Sequence, residues 1–453
     1  MEQAPDRTKA LQAYEPLRLR EVISYSLGDV GVNLYWAPLA VFLMSYLTDV
    51  VGLSVVEAGT LLAVMRTVSA FAEPLFAALA DRTRTEYGRY RAWFLWLAIP
   101  LAASGLLLFS TANAPHDVHL IAAYVGLIVM NLVYTAINVP YNALSGVITF
   151  DSRQREVLLS ARYGIAFLSA VLIIWLTPKL VAFTGPKDVA LGWQFAMTVF
   201  GVVAIGIFIN LFLNTHERFS LSADPRKNPL RDICDLFDCQ PWVVLFALGF
   251  VVMTAFSLHT SSIPFFARYV LGRPDLSMMF SMVFILGLAA GSACTSTLTR
   301  RVERRLLISV MLGVFAVASL GFYALSGGDQ LPLAYMLQAA TGVSLGVVST
   351  ITFAMTADTA DHNAWRTGHR ATAMTYSMII FGKKIAMALV ALVVAWAFST
   401  QGPATTEASP QLLGNIRLVL GLAPAVLAIA GALIAQFYGL NAETLAREQV
   451  GSL

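Results

Sequence analysis

The chain has 453 residues, 57% hydrophobic and 13% charged, with a formal net charge of +3 and a mean hydropathy of +0.69. A soluble domain carries roughly 25% charged residues, so this composition excludes an ordinary water-soluble fold and points to an all-α, polytopic membrane protein. Three cysteines, Cys234, Cys239 and Cys294, give neither a disulfide framework nor a metal-ligand pattern.

Residues 1–22 are charged and lack the short apolar core of a cleavable signal peptide, so they read as a cytoplasmic leader. Apolar blocks then predict twelve spans, at 23–49, 54–80, 93–112, 118–148, 159–183 and 190–214, and at 241–269, 275–298, 303–326, 331–358, 371–399 and 412–439. The polar stretch 215–240 separates an N-terminal six-helix bundle (23–214) from a C-terminal one (241–439), and 440–453 reads as a cytoplasmic tail. Basic residues crowd every second loop: Arg82, Arg84, Arg89 and Arg91; Arg153 and Arg155; Arg218, Arg226, Lys227 and Arg231; Arg300, Arg301, Arg304 and Arg305; Arg366 and Arg370. The positive-inside rule then places both termini in the cytoplasm. Two sets of six with matching basic loops suggest pseudo-symmetric halves, the pattern of carriers that bind substrate at the midplane.

Ionisable and amide residues inside the spans are costly and mark a cavity or a partner. In span one, Tyr25, Asp29, Asn33 and Trp36 share a helical face, as do Asn131, Thr135, Asn138 and Asn142 in span four. Span two carries Arg66, Ser69 and Glu73. At about 1.5 Å per residue, Asp29 and Glu73 lie roughly 10 Å from the cytoplasmic edge, and Asn33, Ser69 and Asn138 roughly 15 Å in. Arg66 and Glu73 are about 10 Å apart along their helix, so each is expected to find partners on other helices. Alternatives stand beside these readings. Asparagines can simply bond neighbouring helices, Arg162 near the inner edge of span five can snorkel to the interface, and His259 in span seven reads as a packing residue. Span eleven adds Tyr376, Ser377, Lys383 and Lys384.

Seven segments, in order, resemble the glycoside–pentoside–hexuronide:cation symporters, a branch of the major facilitator superfamily whose archetype is melibiose permease. They are GDVGVN (28–33), YLTDVVGLS (46–54), DRTRTEYGRYRAW (81–93), YTAINVPYNAL (134–144), DSRQREVLLSARYG (151–164), ADTADHNAWRTGHR (357–370) and SMIIFGKK (377–384). The resemblance implies a twelve-helix fold of two six-helix bundles, alternating access, and a small glycoside, pentose or uronide moved with sodium, lithium or protons. It places sugar-contacting positions on Asn33, Asn138, Asn142, Arg162 and Ser349, cation positions on Ser69, Ala72, Glu73 and Thr135, and the span-eleven lysine on Lys384. Asp29, Trp36 and Arg66 join the candidate substrate set from the polar stripes of spans one and two, and Tyr134 joins it as a ring contact, as Trp36 and Tyr141 also are.

The chain departs from the archetype where it matters. Melibiose permease has carboxylates at the positions of Asn33, Ser69 and Asn138, asparagine at Ala72, and indoles at Asn142 and Ser349. Glu73 with Ser69 and Thr135 makes a poor sodium site, because hard cations want several oxygen ligands. It makes a better proton site, since burial favours the neutral carboxyl. No metal or other cofactor is expected, and the coupling ion is expected to be a proton rather than sodium. The cations Arg66, Arg162, Lys383 and Lys384 lean the substrate toward an acidic sugar or organic anion. Three charge clusters are expected to gate: Asp81 with Arg82, Arg89 and Arg91; Asp151 with Arg155; and Asp358 and Asp361 with Arg370. The competing readings are a lysolipid or amphipathic organic-anion carrier and a non-transporting membrane sensor. An enzyme is not expected, since no nucleophile–base pair is present. The expected partners are a small molecule and the bilayer, not nucleic acid, with the chain as a monomer.

Overall fold

The computed structural model of the protein describes residues 16–110, 116–149, 151–184, 188–218, 229–325, 330–398 and 409–440, and these are helical without a strand among them. The helices are α1 (Leu19–Ser45), α2 (Val55–Arg82), α3 (Arg91–Phe109), α4 (His116–Ile148), α5 (Ser152–Phe183), α6 (Val189–Asn214) and the short α7 (Pro229–Phe237). There follow α8 (Gln240–Phe265), α9 (Leu276–Leu298), α10 (Arg304–Ala324), α11 (Leu331–Thr367), α12 (Thr372–Phe398), α13 (Pro410–Arg417) and α14 (Ala423–Gln436). Among the described residues 12 spans are long and apolar enough to cross a membrane, α13 and α14 forming one of them.

Local chemistry explains the ends. Ser54 caps α2 reciprocally: its Oγ accepts from Glu57 N at 3.2 Å while Glu57 Oε2 accepts from Ser54 N at 2.9 Å. Asp151 caps α5, accepting from Arg153 N at 2.8 Å, so that helix starts seven residues before the expected 159. α11 continues past the expected 358 because nothing interrupts it until Gly368, whose φ of 71° ends it. The polar connection expected at 215–240 contains α7.

The duplication is written in the turns. After α1, Tyr46–Val50 forms a π-turn, closed by Val51 N to Tyr46 O at 3.0 Å and Leu53 N to Leu47 O at 2.9 Å around Gly52 at φ 82°. After α8, Phe266–Val270 does the same, with Leu271 N to Phe266 O at 3.1 Å and Arg273 N to Ala267 O at 2.8 Å around Gly272 at φ 66°. Positive φ at both points is the reason each half places glycine there.

Contacts divide the chain into two compact units: Met1–Asp232 with Ala364–Ser377, and Ile233–Asn363 with Met378–Ser452. In the first, α1 packs on α5 and α6, α3 on α4 and α6, and α2 on α4. In the second, α14 packs on α8 and α10. There α9 and α11 also meet along a seam of small residues. A Cβ on Gly291 would strike the Val343 carbonyl, and one on Gly346 the Leu288 carbonyl. Such close backbone approach is how membrane helices associate without a hydrophobic drive. Gly291→Ala should therefore destabilise the protein by about 2 kcal/mol. Gly313→Ala, whose Cβ meets nothing within 4 Å, should be neutral or stabilise by about 0.5–1 kcal/mol. Thermal unfolding in detergent reads both, and equal effects would remove the seam as the cause.

Candidate functional site

The first unit gathers α1, α4 and α5 around one buried ion pair. Asp29 on α1 accepts twice from Arg162 on α5, Nε to Oδ2 at 2.6 Å and Nη2 to Oδ1 at 3.2 Å. Nη2 also donates to Asn142 Oδ1 on α4 at 2.7 Å, and Nη1 to the Tyr25 hydroxyl at 2.9 Å. The guanidinium carbon lies 4.4 Å from the Tyr141 ring centre and 5.5 Å from that of Tyr25. Those rings stack at 4.9 Å, and each hydroxyl donates to the other's carbonyl, Tyr25 at 3.2 Å and Tyr141 at 2.7 Å. The paired side chains are only 10% and 4% exposed. A buried guanidinium is tolerable only when its charge is compensated and its protons are satisfied; here both conditions are met. The snorkelling alternative for Arg162 is thereby corrected: the side chain turns inward to Asp29. The GDVGVN segment also gains a cause, since a Cβ on Gly28 would collide with the Tyr141 ring.

Asn33 binds α5 in the same register. Its Nδ2 donates to Ala166 O at 2.7 Å and Ser169 Oγ at 3.0 Å. The Asp29–Arg162 and Asn33–Ala166 contacts both span 133 residues, so they are successive rungs between two parallel helices. Trp36, on the same face, is 51% exposed. Asn138 and Tyr134 on α4 are half-buried. Seven of the ten expected substrate residues thus lie on α1, α4 and α5, with Asp29, Asn142 and Arg162 in direct contact.

The expected coupling residues Ser69, Glu73 and Thr135 are all buried. Thr135 Oγ1 donates to Asn131 O of its own helix at 2.8 Å. Arg66 is exposed and lies two turns from Glu73 on one face, opposite the exposed Phe71, Leu75 and Leu79. Ser349 and Lys384, both half-buried, belong to the second unit. So does His259, which is enclosed by Phe284, Phe315 and Phe322 with its Nε2 2.9 Å from Gln338 Oε1, as a packing residue would be.

Several of the expected gating charges bind backbone groups. Asp81 accepts from the Tyr90 hydroxyl at 2.6 Å and from Ala373 N and Met374 N, each at 2.9 Å, in the first turn of α12. Those amides have no partner within their own helix, and a carboxylate there also suits the helix dipole. Arg82 pairs with Asp232 on α7 at 2.8 Å, and His369 Nε2 donates to the other oxygen of Asp232 at 2.8 Å. Gly88, at φ 111°, turns the amides of Arg89, Tyr90 and Arg91 toward Glu217, whose carboxylate accepts them at 2.8, 2.7 and 2.9 Å. This is an anion nest at the start of α3. Arg89 donates to Arg370 O at 3.3 Å, Arg370 to Gly146 O at 2.6 Å, Arg91 to Phe212 O at 2.5 Å, and Arg155 to Thr149 O at 2.9 Å. Of the third expected cluster, Asp358 pairs with Arg304 at 2.6 Å, Asp361 lies one turn on in α11, and Arg370 donates to the Gly146 carbonyl. Tyr25, Glu217, Asp232 and His369 stood outside the expected site set. Their partners are backbone amides or residues distant in sequence, which spacing cannot show.

Asp29→Asn should cost about 3 kcal/mol, because it leaves a buried guanidinium uncompensated. Asp29→Asn with Arg162→Gln should recover about 2 kcal/mol of that; additive losses in thermal unfolding would rule out the coupling. Burial pushes the Asp232 carboxyl up, but His369 and Arg82 outweigh it and hold the group below the usual carboxylate range. Its contribution to stability is therefore complete above the ordinary value and is lost as pH falls through the lowered one. The stability gap between wild type and Asp232→Asn should be present at about pH 5 and close below about pH 4.

A family description, MFS/sugar transport protein, matches residues 24–442. The chain is 29% identical over 409 residues to the isoprimeverose transporter of Lactiplantibacillus pentosus, covering 88% of this chain and 84% of that one. It is 28% identical over 436 residues to the inner membrane symporter YicJ of Escherichia coli K12, covering 95% and 94%. It is 27% identical over 443 residues to that organism's glucuronide carrier protein homolog, covering 94% of each. In structure it is similar to the Escherichia coli fucose:proton symporter FucP, with TM-score 0.67, 11% identity, and 93% and 98% of the two chains covered. The proton:xylose symporter XylE gives TM-score 0.67 at 13% identity over 92% and 94%. The chain belongs to the MFS/sugar transport family and, within it, to the glycoside–pentoside–hexuronide:cation symporters of the major facilitator superfamily, membrane transporters and not enzymes.

Proposed function

We propose that the protein moves a sugar, glycoside or sugar acid across the cytoplasmic membrane by alternating access, coupled to protons through Glu73. Both termini lie in the cytoplasm, and the chain works as a monomer of two six-helix bundles, 23–214 and 241–439, without a metal or organic cofactor. The observation that carries the sugar reading is the Asp29–Arg162–Asn142 cluster with Asn33, Asn138 and the exposed Trp36 ring beside it. Amides suit hydroxyl groups, and an exposed indole suits the apolar face of a pyranose. The relatives described as an isoprimeverose transporter and a glucuronide carrier support the same class. Arg162 is already neutralised by Asp29, so the lean toward an anion rests in this unit on Arg66 alone, and neutral glycosides stay in the class.

The coupling set inferred here is Glu73, Ser69 one turn before it on α2, and Thr135 on α4; all three are buried, and Thr135 already spends its proton on its own helix. Such a set suits proton exchange better than sodium coordination. Asp81, Arg82, Arg89, Arg91 and Arg370, with Asp151, Arg155, Asp358 and Asp361, serve as gating residues in this reading. Releasing the α12 N-terminus from Asp81 would be one step of the transition.

Proteoliposome uptake tests the coupling. With one proton per substrate, wild type should accumulate a transported glycoside about tenfold for each unit of inward pH gradient. Glu73→Gln should lose that dependence. Accumulation driven by sodium alone, or unchanged coupling in the variant, would overturn it.

A further inference from the structure

Two amides of the site have their polarity fixed by what lies behind them. Asn142 faces Arg162, whose guanidinium can only donate. Its oxygen must therefore turn to the arginine, as the 2.7 Å bond from Nη2 records. Asn33 faces the Ala166 carbonyl, which can only accept, so its nitrogen turns there at 2.7 Å. Ser169 reinforces that choice. Its hydroxyl donates to Ala166 O at 2.9 Å and so accepts from Asn33 Nδ2 at 3.0 Å. Flipping either amide would set like against like beside a buried group.

What each residue has left is opposite. Asn142 keeps two Nδ2 protons, and Asn33 keeps the lone pairs of Oδ1. Among the described residues neither atom has a protein partner, and neither is a buried orphan. Asn138, one turn from Asn142 and half-buried, has both ends of its amide uncommitted.

We propose that Asn33 and Asn142 read the hydrogen-bond polarity of the substrate. A substrate oxygen that accepts binds Asn142, and a hydroxyl that donates binds Asn33; this rests on the sugar reading above. A ring or glycosidic oxygen, or the carboxylate of a sugar acid, satisfies Asn142 and is rejected by Asn33. Asn138 tolerates either sense.

Fluorine in place of a hydroxyl keeps a weak acceptor and removes the donor; hydrogen removes both. The probes are methyl β-D-xyloside, glucoside and galactoside with their ring-deoxy and deoxyfluoro derivatives, each as a competitor of proteoliposome uptake. For the glycoside that is recognised, one position should tolerate fluorine within about threefold yet lose about tenfold or more with hydrogen. A second position should lose that much with either. Asn142→Ala should abolish the fluorine–hydrogen difference at the first position and leave the second unchanged; Asn33→Ala should remove the loss that either replacement causes at the second position and leave the split at the first. The wild-type series decides alone if a variant fails to fold. Absence of any position with the split, or persistence of the split in Asn142→Ala, overturns the proposal. If no glycoside competes at all, the sugar reading fails and takes the proposal with it, an outcome distinct from competition without a split.

Discussion

A guanidinium buried among helices imposes more order on this protein than any other single group. Arg162 on α5 needs a counter-charge and acceptors for its protons, and two other helices, α1 and α4, supply them. Asp29 fixes the register of α1 against α5, and Asn33 repeats that register one turn along. Asn142 ties in α4, while the stacked tyrosines cover the charge with their π-faces. A buried ion pair is a weak source of net stability but a strong source of specificity. Few alternative packings of these three helices would leave Arg162 compensated.

At the end of the first unit that carries the basic loops, the logic is the reverse. There carboxylates are held by backbone amides. The Asp81 carboxylate, on α2, accepts from the first-turn amides of α12, and that of Glu217 sits in the nest that begins α3. Bonds of this kind need a helix start or a turn of the right shape, so they report backbone placement more faithfully than side-chain pairs do. The two arrangements divide the labour: one fixes helices deep in the unit, the other fixes where helices begin.

Much of this was legible in the sequence. The spans, their number and the division by a polar connection follow from apolar blocks, and the polar faces of α1 and α4 follow from spacing. Residue spacing could place Asp29 and Asn142 on their faces. It could not reveal that both turn to Arg162, because that contact crosses 133 residues on one side and 20 on the other. The points that stayed hidden share a cause. Arg162 looked close enough to the interface to escape, and the Arg304 partner of Asp358 was hidden because it lies 54 residues away in sequence. Helical continuity through polar residues in α11 was equally hidden until Gly368 supplied the stop.

The Glu217 clamp has a consequence for how the chain can vary. Its three donors are peptide N–H groups, which every residue except proline possesses. The anchor therefore constrains Gly88 and Glu217 far more than the identities at 89, 90 and 91. The turn in exchange aims three side chains at separate partners: Tyr90, fully buried, at the Asp81 carboxylate, Arg89 at the Arg370 carbonyl and Arg91 at that of Phe212. A change at Gly88 or Glu217 would therefore misdirect all three side chains at once, whereas a change at 89, 90 or 91 removes a single contact.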